Sequence, residues 1–295
     1  MVHRTTGEKI FNVCNYGFIV LVCLSCILPF VHLLAVSFSS NVAIQTNQVV
    51  FWPVDFNVDA YSFAFQNGRF VAALLISFQR VALGLAVNLL LITLTAYPLS
   101  HSKDKLLGRN FYMIFFVFTM IFNGGLIPTF IVVTRLGLLN SLWALILPGA
   151  LPVFSMIILM NFIRNLPEEL QESAMLDGAG SITILFKIMM PLLKPCLATV
   201  ALFSIVFHWN DWFMGLIYMQ NPLNYPLQTY LQFLLLNMEQ LLQMAGGDMV
   251  ALLARLNAQT GRAAQLFLGA LPMLMIYPFL QRYFTTGLVM GSVKG

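Results

Sequence analysis

Charged side chains are scarce in this sequence. They make up 9% of its 295 residues, against 59% apolar ones, whereas a soluble domain carries about 25%. So few charges cannot clothe a water-facing surface of this size, and lipid is the natural neighbour for most of it. A phosphate-cradling loop of the GxxxxGK(S/T) kind is missing, so any ATP must be held by another chain. A catalytic set is missing too. His3, His32, His101 and His208 are far apart, no HExxH or nucleophile elbow occurs, and the acidic residues gather in one segment instead of forming a cleft-like pair. Cysteine is limited to Cys14, Cys23, Cys26 and Cys196. The CxxC at Cys23 and Cys26 sits in an apolar run without metal-ligand spacing nearby, so these residues read as small buried hydrophobes and no metal site is expected. The net charge of +4 comes from basic residues scattered between apolar runs. No basic stripe interleaves with aromatics, which argues against a nucleic-acid partner.

What the chain does contain is long apolar stretches. A membrane-crossing helix needs about 20 such residues at about 1.5 Å each, and six stretches qualify: 13–38, 71–99, 110–134, 142–163, 196–219 and 264–284. Thirteen prolines and nineteen glycines lie within this background, as membrane helices tolerate, and mark kinks. Arg4 and Lys9 precede the first stretch as in a signal peptide, but its apolar run is far longer than an h-region, so it reads as a retained anchor. On one side of the six spans lie Arg4, Lys9, Lys103, Lys105, Arg109, Arg164, Lys187, Lys194, Arg282 and Lys294. On the other lie Arg69, Arg135, Arg255 and Arg262, while Arg80 falls inside the second span. The positive-inside rule then places both termini in the cytoplasm. Two outer segments, 39–70 and 220–263, are longer than turns, and the second holds a helix-like stretch over Tyr230–Met244.

The connection between the fourth and fifth spans breaks the apolar pattern. Glu168, Glu169, Glu172 and Asp177 place four of the eleven acidic residues within ten positions. The local signals are those of a short independent helix over about 166–178. Asn165 is suited to cap it, Pro167 to its first turn, Glu168 to a capping box, and Gly178 to a left-handed stop. Leu166, Leu170, Ala174 and Asp177 fall on one side, with Ser173 beside them, and Glu168 and Glu172 stack on another. Small residues at Ser173, Ala174, Gly178 and Ala179 admit close approach of another protein, whose basic groups the carboxylates can anchor. Such a rod, about 18 Å long, is a handle for a partner; a plain surface helix with solvated glutamates is the bland alternative.

Glu172-Ser173-Ala174, Asp177-Gly178, Ile188 and Pro191 resemble the EAA signature of ABC importer permeases, with Ser173 and Met190 as mild departures. The ending Gly287-Leu288 through Gly291, Val293, Lys294 and Gly295 is similar to the tails of maltose-type carbohydrate permeases. His208-Trp209-Asn210-Asp211-Trp212 and Tyr225-Pro226-Leu227-Gln228-Thr229 resemble the branch that imports oligosaccharides and polysaccharide fragments. The resemblance implies an all-α integral membrane fold, residues 1–295 forming one permease domain of the type I importer kind in a bacterial cytoplasmic membrane. It also implies partners: a cytoplasmic ATPase dimer carrying ATP and Mg, a second permease subunit of a different chain, an extracytoplasmic solute-binding protein, and a carbohydrate substrate. Glu168, Glu172, Ser173, Ala174, Asp177, Gly178, Ile188 and Pro191 would meet the ATPase. The tail of Gly291, Val293, Lys294 and Gly295 would reach its interface, and the outer loop 220–263 would contact the binding protein.

Asp211 lies about fifteen residues into the fifth span, where a charge costs about 2.5–3.5 kcal/mol, so it is expected to face a cavity or a partner. Trp209, Asn210 and Trp212 around it suit the C–H faces and hydroxyls of a sugar, or alternatively the interfacial aromatic belt. Arg80 and Asn88 share a face of the second span, as a cavity lining or a structural bond. Asn123-Gly124-Gly125 interrupts the third, as substrate paths and tight helix crossings both do. Two other classes compete with the importer. In an ion-coupled secondary sugar transporter Asp211 and Arg80 would be relays, but a repeated half is missing. An integral membrane enzyme acting on lipid or polysaccharide precursors would need paired acidic or histidine groups near one membrane face.

Overall fold

A computed structural model of the chain describes residues 6–66, 68–102, 106–244, 260–276 and 278. Every regular element among the described residues is helical. In chain order these are α1 (Thr6–Ser37), α2 (Asn41–Gln45), α3 (Asp59–Gln66), α4 (Gly68–Ser100), α5 (Arg109–Ile121), α6 (Leu126–Arg135), α7 (Leu142–Ile146), α8 (Val153–Arg164) and α9 (Glu169–Leu176). There follow α10 (Ser181–Asn210), α11 (Phe213–Tyr218), α12 (Leu227–Met244) and α13 (Thr260–Ile276).

Among the described residues three helices, Gly7–Ser37, Gly68–Ser100 and Ser181–Asn210, are long and apolar enough to cross a membrane; counting each of two bent pairs as one span raises this to five. The expected single span 110–134 is one such pair, α5 and α6, turned by 112°. Gly125 takes φ +93° at the break, a conformation closed to ordinary side chains, and its N–H donates to Asn123 Oδ1 at 2.9 Å. The expected span 142–163 bends by 51° between Leu142–Gly149 and Val153–Arg164, around Pro148 and Pro152. The fifth also departs from expectation. Its helix begins at Ser181 instead of 196, runs through a π segment at Ile184–Met189, and ends at Asn210. Pro191 and Pro195 lie inside it, and the wide turn ahead of them accommodates the missing N–H groups. Of the expected sixth span, Thr260–Ile276 is helical; residues 277 and 279–284, with the tail residues Gly291, Val293, Lys294 and Gly295, lie outside the described residues.

The chain divides into two compact units. The first comprises Met1–Val71 and Phe233–Leu271. Its α1 is exposed along most of its length, with Phe11, Phe18 and Leu21 all more than 65% exposed. Cys14, Cys23 and Cys26 are exposed on it, not buried as expected, because among the described residues of its unit little packs against α1 at those levels. At its end the chain folds back: Ser39 Oγ accepts from Val54 N–H at 3.0 Å, Asn57 N–H donates to Phe38 O at 3.0 Å, and Phe38 stacks between Phe56 and Tyr61.

The second unit comprises Ala72–Gln232 and Pro272–Gly295. Its core joins α4 (Ile92, Ala96, Leu99), α8 (Met156, Leu159, Ile163) and α10 (Ile184, Met189, Leu193, Val200). In contrast, α5 buries none of its side chains, as befits a helix facing lipid or another subunit.

Candidate functional site

Two places in the second unit gather the polar chemistry. The first surrounds α9. The last carbonyls of α4 lack intrahelical partners, and two arginines satisfy them. Arg109 Nε donates to Leu99 O at 2.9 Å, and Arg164 donates to Leu99 O and Ser100 O at 3.1 and 3.3 Å. His101 Nδ1 donates to Tyr97 O at 2.9 Å, which leaves its Nε2 3.1 Å from the Gln171 side-chain amide. The end of α4 is thereby tied to α9, beside a cavity of about 450 Å³ lined by His101, Arg109, Arg164, Leu166, Glu168 and Gln171.

The short acidic helix forms, with a different start from the one expected. Asn165 ends the preceding helix, its N–H bonded to Asn161 O, so the capping box does not exist and Glu168 stands at the N-cap in helical conformation. Its stop matches expectation. Gly178 has φ +80°, with Ala179 N–H on Ala174 O and Gly178 N–H on Met175 O, the paired bonds of a Schellman motif. Ala174 is buried in the core beside Ile184 and Met189, so it seats the helix and is not offered to a partner. Ile188 is half-buried against the same core, and Pro191 lies within α10, exposed. Ser173 is exposed, and its hydroxyl is bonded to Glu169 O at 2.7 Å. The outward face carries Glu169, Glu172 and Leu176, at the i, i+3, i+7 spacing of one helix side. Leu176 is 89% exposed. Sequence reading missed this knob because it weighed the carboxylates and small residues and not the leucine opposite Ala174.

The second place is the break after α10. Asp211 does not lie within a helix. It ends α10 in extended conformation and starts α11, its Oδ1 accepting from Met214 N–H at 3.2 Å. Arg80 of α4, fully buried, pairs with the Asp211 carboxylate and donates to the Asp211 main-chain carbonyl at 2.8 Å. The two residues an ion-coupled carrier would use as relays are committed to each other. Arg80 and Asn88 do share a face. With its amide oriented to satisfy both ends, Asn88 donates to Gly84 O and Ala150 O and accepts from Ser204 Oγ at 3.1 Å. Between them the His208 ring fills the space a side chain at Gly84 would need. Among the described residues neither ring nitrogen of His208 has a hydrogen-bond partner, nor do Arg80 Nε or the Tyr218 hydroxyl.

Trp209 and Trp212 are not a matched pair. Trp209 is buried, with its ring 5.4 Å from that of Phe78, whereas Trp212 is half-exposed in the break and its carbonyl accepts from Thr229 Oγ1 at 2.9 Å. Asn210 and Asn123 are exposed. A further cavity of about 400 Å³ is lined by Asn88, Phe154, Ser155, Phe203, Ser204 and Phe207 among others. Apart from Asn88, sequence reading missed this set, since residues from α4, α8 and α10 converge only in the fold.

The family described as binding-protein-dependent transport system inner membrane component matches residues 70–289. The chain belongs to that family. This permease is 38% identical over 290 residues to the polygalacturonan/rhamnogalacturonan transport system permease protein of Bacillus subtilis, covering 98% of this chain and 99% of that one. It is 29% identical over 281 residues to a melibiose/raffinose/stachyose import permease of Bacillus subtilis, covering 91% of each. Among solved structures it is similar to a chain of a bacterial ABC transporter involved in the import of the acidic polysaccharide alginate. That match has a TM-score of 0.87 and 26% identity, and covers 96% of this chain and 100% of that one. The permease is a multi-pass membrane protein and a transport subunit, not an enzyme.

Proposed function

We propose that the permease forms half of the translocation pathway of an ATP-driven, binding-protein-dependent importer that takes up an oligosaccharide or a polysaccharide fragment. The observation that carries this reading is the end-to-end likeness, at 38% identity, to a permease for polygalacturonan and rhamnogalacturonan. In this reading both termini are cytoplasmic, as the distribution of Lys and Arg favours. A second, different permease chain completes the pathway, a solute-binding protein delivers the sugar outside, and an ATPase dimer on the inner face holds ATP and Mg.

The handle α9 is gripped by that ATPase through Glu169, Glu172 and Leu176, with Glu168, Ser173, Asp177 and Gly178 at its rim. Its seat, where Ala174 meets the core beside the π segment of α10, passes the ATPase movement directly into α10. The Arg80–Asp211 pair fixes the far end of the same helix at its break. The cavity of Phe154, Phe203 and Phe207 with Asn88, Ser155 and Ser204 offers ring faces for sugar C–H groups and small polar groups for hydroxyls. Asn123, Asn210 and Trp212 at the helix breaks are further contacts for the passing chain, and the outer segment 220–263, which holds α12, meets the binding protein.

The test is uptake of labelled pectic oligosaccharides by vesicles holding the complete complex. Uptake is expected only with ATP on the ATPase side and binding protein on the other. Uptake that survives ATP depletion and collapses with an uncoupler would support an ion-coupled carrier instead.

A further inference from the structure

The loop after α1 presents more bare apolar surface than any turn requires. Trp52 is 82% exposed, and Val50, Phe51 and Phe56 are 55%, 43% and 67% exposed. The segment is nonetheless fixed. His32 Nδ1 contacts Val50 O at 2.6 Å, Ser40 N–H donates to Val54 O at 3.1 Å, and Ser40 Oγ donates to Asp55 Oδ2 at 3.2 Å. Tyr61 OH meets Ser37 Oγ at 2.7 Å. Residues 54–57 thus lie level with the end of α1, while Val50 has doubled back to the level of His32, about 7 Å down the helix from Ser37.

The length of α1 says where that level is. From Lys9 to His32 the helix rises about 34 Å, close to the hydrocarbon thickness of about 30 Å. The side chains between are apolar apart from Asn12, Asn15 and Ser25, and mostly exposed. His32 therefore stands at the hydrocarbon boundary, and the folded-back loop has its carboxylate, Asp55, on the water side with Phe56 beside it, and residues 50–52 at the boundary. Tryptophan favours that depth, with its ring among acyl chains and its N–H among headgroups.

We infer that residues 50–52 form a fixed collar that seats α1 in the lipid interface, with Trp52 as the anchor and phospholipid as its partner. A collar clamped to its own helix sets the depth of α1 without help from another subunit. The other occupant such a patch suits is the solute-binding protein, and the two separate cleanly by experiment.

Trp52→Cys, in a chain whose other exposed cysteines are replaced, is labelled with a nitroxide in the complete complex in vesicles; Asp59→Cys is the control. The collar requires the label at 52 to collide with oxygen more often than with a water-soluble nickel chelate, with the reverse at 59. It also requires unchanged mobility at 52 when binding protein is added. Chelate access at 52 equal to that at 59, or immobilisation that appears only with binding protein, overturns the inference. If the labelled variant fails to assemble, quenching of intrinsic fluorescence by lipids brominated near the headgroup decides. Trp52→Phe must lose part of it, and unchanged quenching overturns the inference.

Discussion

Arg80 holds Asp211 twice, by the carboxylate and by the main-chain carbonyl, across 131 positions of sequence. The carboxylate in turn starts α11 through the Met214 N–H. The charge pair is therefore part of the backbone where α10 stops.

Removing one partner leaves the other buried and uncompensated, at a cost of about 3–5 kcal/mol. Arg80→Met and Asp211→Leu are each expected to lower the thermal stability of the purified complex sharply. The double variant is expected to recover much of the loss, which a melting series on the four proteins checks.

Gly84 is the slot for the His208 ring, and a Cβ there meets the ring atoms. Gly84→Ala is expected to cost about 1–3 kcal/mol through overpacking. His208→Ala in the same chain should relieve most of it, and the coupling is read from a double-mutant cycle.

Much of this was legible in the sequence, for identifiable reasons. The acidic rod was visible because four acidic residues stand out in an apolar chain, and its stop because Gly178 supplies the left-handed residue. Its start is not legible in the same way. Asn165 satisfies capping grammar equally well as the end of α8, and only the bond from its N–H to Asn161 O decides between the two. Arg80 and Asn88 were legible as a shared face, but the partner of Arg80 was not, since pairing across 131 positions leaves no local pattern. Hydropathy places Asp211 inside a helix because, apart from His208 and Asn210, the residues from Phe207 to Tyr218 around it are apolar, and hydropathy is blind to a break held by an ion pair.

Leu176 stands exposed on the face that carries Glu169 and Glu172. Filling a partner pocket with a leucine is worth about 1.5–3 kcal/mol. Leu176→Ala is expected to weaken ATPase binding by roughly 10-fold or more, measured by titrating the ATPase against the permease pair in nanodiscs, with the helix itself intact.

Gly178 combines φ +80° with open space where a side chain would lie. Gly178→Asp therefore strains the Schellman turn and adds charge at the rim of the handle. Loss of substrate-stimulated ATP hydrolysis is expected, with normal amounts of the chain in the membrane on immunoblotting.

The direct test of the handle is a photoreactive amino acid placed at Leu176 in the complete complex. Illumination is expected to join this chain to the ATPase, with a yield that changes when ATP is trapped. A probe at Ala174, buried beneath, should yield no such product. If position 176 captures only water, lipid or the second permease while uptake proceeds, the helix is not where force enters the permease.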